Sequence, residues 1–142
     1  MFGKRITRTF LLCMMVMIAA LGCLRYYVGQ PAPQNPQEIH LSDAEKREAW
    51  LNLYGWEVTL ISETVTQLPS CYRTQAGMAW ESIQRSQGLS PTSFAGMQAK
   101  RYLYHIDNLC ADTYYAELLL CGDVLVGAVG FDAVTGEQCR LK

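Results

Sequence analysis

The side chains and motifs that usually carry catalysis are scarce in this chain of 142 residues. Only two histidines are present, His40 and His105, and histidine is the side chain that most often transfers protons near neutral pH. The hydrolase elbow G-x-S-x-G, the P-loop, the dinucleotide-binding G-x-G-x-x-G and the zinc-binding H-E-x-x-H are all missing. We therefore predict no catalytic residue, no cofactor and no metal site.

Long runs of charge are also missing, and the charges present are divided unevenly. Residues 1–28 carry four basic side chains and no acidic one, whereas residues 29–142 carry 8 basic and 13 acidic ones, a net charge of −5. A mildly acidic domain without a basic patch argues against nucleic acid as a partner. It also argues against a domain that lies flat on an anionic membrane.

The first 28 residues read as a membrane segment. Residues 9–24 are uncharged and mostly apolar, and basic residues flank them on both sides. Extended to residues 6–28, the segment has 23 residues, and a helix needs roughly 20 to cross a bilayer core. Because most of the basic residues come first, the positive-inside rule places everything after the segment outside the cytoplasm. We predict residues 1–28 to be a membrane anchor or signal segment.

Three forms of this segment remain open. It is either a retained transmembrane helix, a cleaved signal peptide or the leader of a lipoprotein. The stretch Ala20-Leu21-Gly22-Cys23 resembles the lipobox of bacterial lipoproteins, in which the cysteine is lipidated after cleavage. Ala20 departs from the leucine that is usual there. Cys23 is therefore the candidate lipidation site.

A proline-rich stretch separates this segment from the rest. Residues 29–38 contain three prolines and no hydrophobic residue larger than alanine. Such a composition is typical of an extended linker of about 3 Å per residue. We predict a stalk over residues 29–38, followed by an extracytoplasmic domain over residues 39–142.

Four cysteines lie in the domain and two in the membrane segment. Outside the cytoplasm the domain cysteines are candidates for disulfides, and four cysteines allow three pairings. No C-x-x-C pair is present, so the spacing of a zinc or redox site is absent. The alternative is that they are small buried side chains with free thiols. The four residues are Cys71, Cys110, Cys121 and Cys139.

Two helices are predicted. Ser42 and Glu45 form a capping box, Asp43 and Arg47 stand four apart and can pair, and Gly55 ends this helix. Its expected buried face is Trp50, Leu53 and Tyr54. The second helix should cover residues 70–87 and bury a stripe of Tyr72, Ala76, Ala79, Trp80 and Ile83. Phe94 should anchor the loop that follows.

The remaining segments read as strands. They are residues 56–61 with an extension at 65–68, residues 100–107, and a hairpin about Gly122-Asp123, a pair suited to a tight turn. A short last strand is expected in residues 138–141. If Cys121 faces Val124, one wholly apolar face joins Tyr114, Ala116, Leu118 and Leu120 to Leu125, Gly127, Val129 and Phe131. We predict an α+β fold in which two helices pack on this one face of an antiparallel sheet of about four to five strands.

Several short sequence phrases occur together in this chain. They are, in order, Gly55-Trp56-Glu57-Val58, Leu68-Pro69, Gln87-Gly88-Leu89, Gly96, Lys100-Arg101-Tyr102-Leu103-Tyr104 and the hairpin at residues 122–127. In this order they resemble a family of domains of unknown function in small membrane-anchored proteins of anaerobic Gram-positive bacteria. The likeness covers most of residues 41–131, and Ala128-Val129 departs from the family's pattern. It implies membrane attachment and an external domain, but no activity and no catalytic residues.

Three functions are consistent with these observations. The leading hypothesis is a non-enzymatic, membrane-anchored module that binds a protein, a peptide or an envelope component through Tyr115, Glu117 and His105 on the uncovered face of the sheet. The second is a small hydrolase or transferase, because Asp107 follows His105 by two residues and shares its face. Cys110 or Ser93 would be its nucleophile. The third is a structural subunit of a membrane complex, which would expose a large apolar patch.

Overall fold

The computed structural model describes residues 37–142. The predicted anchor over residues 1–28, its candidate lipidation site Cys23 and most of the stalk lie outside the described residues. The helices are α1 (Ala44–Leu53), α2 (Gln75–Ser86) and a short 3-10 helix (Pro91–Phe94). The strands are β1 (Val58–Gln67), β2 (Gln98–Ile106), β3 (Tyr114–Cys121), β4 (Val124–Asp132) and β5 (Gln138–Cys139).

The strands form one antiparallel sheet in chain order, from β1 to β5. This confirms the predicted α+β class and the number of strands. The predicted pieces at residues 56–61 and 65–68 are joined in the single strand β1 (Val58–Gln67), which has an irregularity between Leu60 and Ser62. No helix within residues 37–142 is long and apolar enough to cross a membrane.

The β3–β4 hairpin turns where the sequence predicts it. Gly122 has a φ of 64°, and Cys121 faces Val124. Beyond Leu125, however, Val126 is an extra residue, so that Leu119 faces Gly127. Because a β-bulge moves every later side chain to the other face, the predicted apolar face is wrong from this point. Gly127, Val129 and Phe131 share a face with Leu119, Glu117 and Tyr115 instead.

The two helices pack on opposite faces of the sheet. On one face, here called the α1 face, Trp50 and Leu51 of α1 join a cluster of buried sheet residues: Tyr102, Tyr104, Ile106, Ala116, Leu118, Leu120, Leu125 and Ala128. On the other, the α2 face, Trp80 packs against Ala99, Leu119, Cys121 and Val126. The prediction that both helices cover one face was wrong. Consecutive apolar residues such as 118–121 place buried side chains on both sides of β3.

The start of α1 differs from the prediction by one residue. Asp43, not Ser42, caps the helix by accepting a hydrogen bond from the Lys46 amide, and its carboxylate pairs with Lys46 rather than with Arg47. Arg47 is buried instead. Its Nε donates to the Tyr104 hydroxyl at 3.1 Å, and its guanidinium lies 3.8 Å above the centre of the Tyr102 ring.

The buried faces of both helices are rotated from the predicted ones. In α1, Leu51 is fully buried whereas Leu53 is 74 % exposed, because Arg47, Trp50 and Leu51 have the spacing that faces the sheet. Tyr72 is buried but precedes α2, which begins after the cap residue Thr74. Ala76 and Ala79 are exposed, and Gln84 is buried. Phe94 is partly buried against the α2-face cluster, as predicted.

The outer edge of β4 is covered in three sections. Residues 39–41 bond to its start through backbone groups. In its middle, Gln84 Oε1 accepts from the Ala128 amide and Gln87 Nε2 donates to the Ala128 carbonyl, both at 2.7 Å. β5 pairs with Gly130 and Phe131. Within the described residues, β1 has no strand on its outer side, and the sheet therefore has one closed edge and one open edge.

Candidate functional site

α2 covers only one end of the α2 face. Beyond α2, this face carries the buried Val129 and a group of half-buried side chains that point away from the α1 core. We call these residues the open half of the α2 face: Arg101, Leu103, His105, Tyr115, Glu117 and Phe131. All three residues predicted to form the binding surface, Tyr115, Glu117 and His105, are among them. Strand pairing brings them together, because β2 and β3 place His105 opposite Tyr115.

Three rings form a row across β2, β3 and β4. The His105 and Tyr115 rings meet edge to face, with centroids 5.5 Å apart and planes at 81°. Tyr115 and Phe131 stack with centroids 5.8 Å apart and planes at 24°. Phe131 was missed as a site residue because the predicted hairpin register placed it on the opposite face. The row is half-exposed, since each ring covers part of its neighbour.

An ion pair lies beside this row. Arg101 Nε donates to Glu117 Oε2 at 2.5 Å, and the Glu117 side chain is only 16 % exposed. The pair is neutral as a whole, which makes the partial burial of the carboxylate tolerable. Arg101 was not predicted as a site residue, because its place beside Glu117 depends on the β2–β3 register.

His105 is held on two sides. Its Nδ1 lies 2.7 Å from Asp107 Oδ1, and Thr59 Oγ1 donates to Asp107 Oδ2 at 2.7 Å. The Asp107 hydrogen bond raises the pKa of His105 above its ordinary value, and a hydrogen bond to the Asp112 backbone adds to this effect. Hydrogen bonds from His105 and Thr59 lower the pKa of Asp107. The arrangement joins β1, the end of β2 and the turn before β3.

The candidate nucleophiles of the enzymatic alternative are placed differently. Cys110 is exposed in the turn between β2 and β3, and Ser93 is exposed in the 3-10 helix. Among the described residues, no hydrogen bond joins either of them to His105. Asp107 and His105 are thus brought together as predicted, and their third polar contact is Thr59.

A cleft of about 360 Å³ adjoins the ion pair. One wall is aromatic, because Tyr72 stacks on Trp80 with centroids 5.5 Å apart and planes at 15°. The remaining lining comes from the end of β1 and from neighbouring positions on the α2 face: Thr66, Gln67, Leu68, Pro69, Gly77, Arg101, Glu117 and Leu119. The cleft and the open half share Arg101 and Glu117, so they form one continuous surface.

Tyr72 carries an unsatisfied polar atom. Its side chain is buried, with 6 % of the residue exposed, and its hydroxyl has no hydrogen-bond partner within the described residues. Burial raises the pKa of Tyr72, and the nearby Glu81 and Cys121 add to the rise. A buried hydroxyl without a partner is unusual, since most such groups are hydrogen-bonded.

The four domain cysteines are free thiols in the described part of the chain. Cys71, Cys110 and Cys139 are exposed, so the interpretation as buried apolar side chains fits only Cys121. Burial raises the pKa of the Cys121 and Cys139 thiols, and the charge of Glu137 raises that of Cys139 further. Within residues 37–142, no cluster of three or more His, Cys, Asp and Glu side chains is placed to hold a metal ion.

Comparisons with known proteins find no significant match to any protein family, curated protein or solved structure. The resemblance to a family of anchored domains of unknown function therefore stays a prediction. The interpretation of the site rests on its own geometry.

Proposed function

We propose that this protein is a membrane-anchored, extracytoplasmic binding module whose partner docks on the open half of the α2 face. The observation that carries the proposal is the row of half-exposed rings formed by His105, Tyr115 and Phe131 beside the neutral Arg101–Glu117 pair. The helix on this face, α2, packs its Trp80 against Ala99, Leu119, Cys121 and Val126, away from this row.

The chemistry of this surface suits a protein or peptide partner. Aromatic residues and arginine are enriched at protein interfaces, where they supply large contact areas. Here they stand on three paired strands, so little side-chain and backbone freedom is lost on binding. The charged groups are already paired within the site, as Arg101 with Glu117 and His105 with Asp107. A partner can therefore cover them without leaving a charge unpaired.

The amino-terminal sequence supports the location. Residues 1–28 have the charge pattern of a segment with its amino terminus in the cytoplasm, and residues 29–38 have the composition of a stalk. Together they would hold the acidic domain away from the membrane surface. A partner within the cell envelope follows from this location.

The enzymatic alternative is less well supported by the geometry. A general base must lie within hydrogen-bond reach of the proton that it takes. Among the described residues, no hydrogen bond joins His105 to Cys110 or Ser93. Its Nδ1 is bonded to Asp107 instead, and both carboxylate oxygens of Asp107 are occupied. These contacts explain His105 and Asp107 as residues that fix the turn between β2 and β3.

The docking surface is tested by crosslinking in intact membranes. The full-length chain and its Tyr115→Ala/Phe131→Ala variant are crosslinked, purified and analysed for bound proteins. The matched control is Leu53→Ala/Val134→Ala, which removes two exposed apolar side chains outside the open half. We expect a specific partner to be lost only with Tyr115→Ala/Phe131→Ala. Equal recovery of that partner with both variants, at equal thermal stability, would exclude this surface.

The membrane attachment is tested separately by intact mass spectrometry of the mature protein. We expect a chain that keeps residues 1–28, or one that begins at a lipidated Cys23. The orientation is tested by adding a protease outside spheroplasts, which should cleave the domain. A soluble product that lacks residues 1–28 and carries no lipid would contradict anchoring. A domain that is protected in intact spheroplasts would contradict the predicted orientation.

A further inference from the structure

The cleft beside the ion pair combines an aromatic wall and two opposite charges. Tyr72 and Trp80 form the wall, and Leu119 adds to its apolar surface. The volume of about 360 Å³ is within the range of sites for small molecules. Such sites are largely apolar, with a few polar groups that fix the orientation of the ligand.

The ion pair leaves several of its hydrogen-bonding groups unused. Only Nε of Arg101 and Oε2 of Glu117 take part in the bond between them. Among the described residues, the terminal nitrogens of Arg101 have no acceptor and Glu117 Oε1 has no donor. A guanidinium carries five N–H donors, and a carboxylate oxygen accepts more than one bond. The pair can therefore bind a second pair of opposite charges alongside it.

The two opposite charges restrict what can bind. A simple anion would be attracted by Arg101 but repelled by Glu117, and a simple cation would experience the reverse. A ligand that carries an ammonium and a carboxylate on adjacent atoms satisfies both residues and leaves the site neutral. The aromatic wall then requires an apolar side chain on the same ligand.

Tyr72 contributes its ring to the cleft. Its hydroxyl is buried from solvent and has no hydrogen-bond partner in residues 37–142. A ligand in the open cleft therefore meets the aromatic ring of Tyr72 and not its hydroxyl.

We propose that this cleft binds a free apolar α-amino acid as its zwitterion. Arg101 binds the carboxylate, Glu117 binds the ammonium, and the side chain packs on the wall of Tyr72 and Trp80. This site goes beyond the docking of an envelope partner. Tyr115 and Phe131 do not line the cleft, so the two sites can be tested independently.

The experiment measures binding to the full-length chain in detergent by calorimetry. The probes are leucine, N-acetyl-leucine, which lacks the ammonium, and leucinamide, which lacks the carboxylate. We expect saturable binding of leucine, and binding at least tenfold weaker for each capped form. No saturation by 10 mM leucine, or equal affinity for all three probes, would overturn the proposal.

Variants then test whether the charges of Arg101 and Glu117 are what distinguishes leucine from its capped forms. Arg101→Gln/Glu117→Gln removes both charges together, and it should abolish the discrimination between leucine and its capped forms. The matched control is Lys100→Gln/Glu63→Gln, which removes an ion pair outside the cleft and should leave the discrimination unchanged. Tyr72→Leu, which removes one ring of the aromatic wall, should weaken the binding of all three probes several-fold. Discrimination that persists in folded Arg101→Gln/Glu117→Gln protein would refute the assignment.

The two proposals fail in different ways. Tyr115→Ala/Phe131→Ala should keep its leucine affinity within twofold even though it loses the crosslinked partner. A loss of leucine binding in this variant, with folding intact, would contradict the separation of the sites.

Discussion

The two helices contact opposite faces of one sheet, but through different kinds of side chain. α1 buries Arg47, Trp50 and Leu51 against a face built largely from leucine and tyrosine. In α2 only Gln84 is buried, and Trp80 is the main apolar contact with the sheet. The α1 face is therefore a closed core, whereas half of the α2 face stays open.

The difference shows how one sheet can separate stability from recognition. Hydrophobic burial on the α1 face supplies most of the folding free energy that scales with apolar area. Because that contribution does not need the other face, aromatic and charged side chains can stay half-exposed there. Their pairing with one another, as in Arg101 with Glu117, limits the cost of incomplete burial.

The largest expected effect compares a leucine on each face. Leu118 is fully buried on the α1 face, and Leu103 is half-buried on the α2 face. Leu118→Ala should reduce the free energy of unfolding by about 3 kcal/mol because it leaves a cavity, whereas Leu103→Ala should cost about 1 kcal/mol. Urea unfolding of the two variants measures both values. Equal losses of unfolding free energy in the two variants would mean that the two faces contribute equally to stability.

The next effect concerns the hydrogen bonds by which Gln87, at the end of α2, is attached to β4 and to the carboxyl-terminal residues. Besides its bond to the Ala128 carbonyl, Gln87 accepts hydrogen bonds from the amides of Leu141 and Lys142. Gln87→Ala leaves buried backbone groups unpaired and should cost about 2 kcal/mol of unfolding free energy. The control is Gln67→Ala, which removes one exposed bond to Gly96 and should change it by less than about 0.5 kcal/mol. A cost no larger than that of the control would show that the bonds of Gln87 add nothing to the attachment that Gln84 and Trp80 supply.

The sequence predicts the contrast between the two faces of the sheet only in part, and the reason for this is physical. The hairpin turn was predictable because Gly122 adopts the positive φ that a tight turn requires. The bulge at Val126 was not predictable from the sequence. Both faces of β4 are buried there, so its residues are apolar without alternation, and an extra residue leaves no visible break in the pattern. The bulge decides that Phe131 joins the binding face rather than the core.

The candidate site was also predicted only in part, because the sequence shows the alternation along one strand but not the register between strands. Tyr115 and Glu117 alternate along one strand, so their shared face follows from the sequence. Arg101 was missed because its place depends on the register between β2 and β3. The burial of Arg47 was also missed, because its acceptor, Tyr104, lies 57 residues away in the chain. Local spacing favoured the pair with Asp43 instead.

A smaller effect tests how closely α2 approaches the sheet. A Cβ atom on Gly127 would lie 2.8 Å from a ring carbon of Trp80, which is too close for ordinary packing. Gly127→Ala should therefore cost about 1–2 kcal/mol of unfolding free energy. In the Trp80→Leu background the same substitution should cost clearly less, because the ring is gone. Thermal unfolding of the four proteins gives the coupling, and additive losses would contradict this contact.

The smallest effect is a pH dependence that arises from His105 on the open half and from its partner Asp107. The pKa of His105 is raised in the folded state from an ordinary 6.5, so its contribution to stability is complete below that pH and is lost as pH rises through the folded pKa. The pKa of Asp107 is lowered from 3.8, so its contribution is lost only as pH falls through the folded value. Between pH 4 and 6.5 both contributions are present.

Replacing the ring should remove this dependence. The difference in unfolding free energy between wild type and His105→Gln should be largest between pH 4 and 6.5 and should shrink above that range. Asp107→Asn should show the same loss of dependence, because each residue stabilises the charged form of the other. Leu118→Ala, on the closed face, should shift stability equally at every pH. If it is instead the His105→Gln difference that stays constant with pH, the ring is held by packing against Tyr115, and the two faces differ in coverage but not in electrostatics.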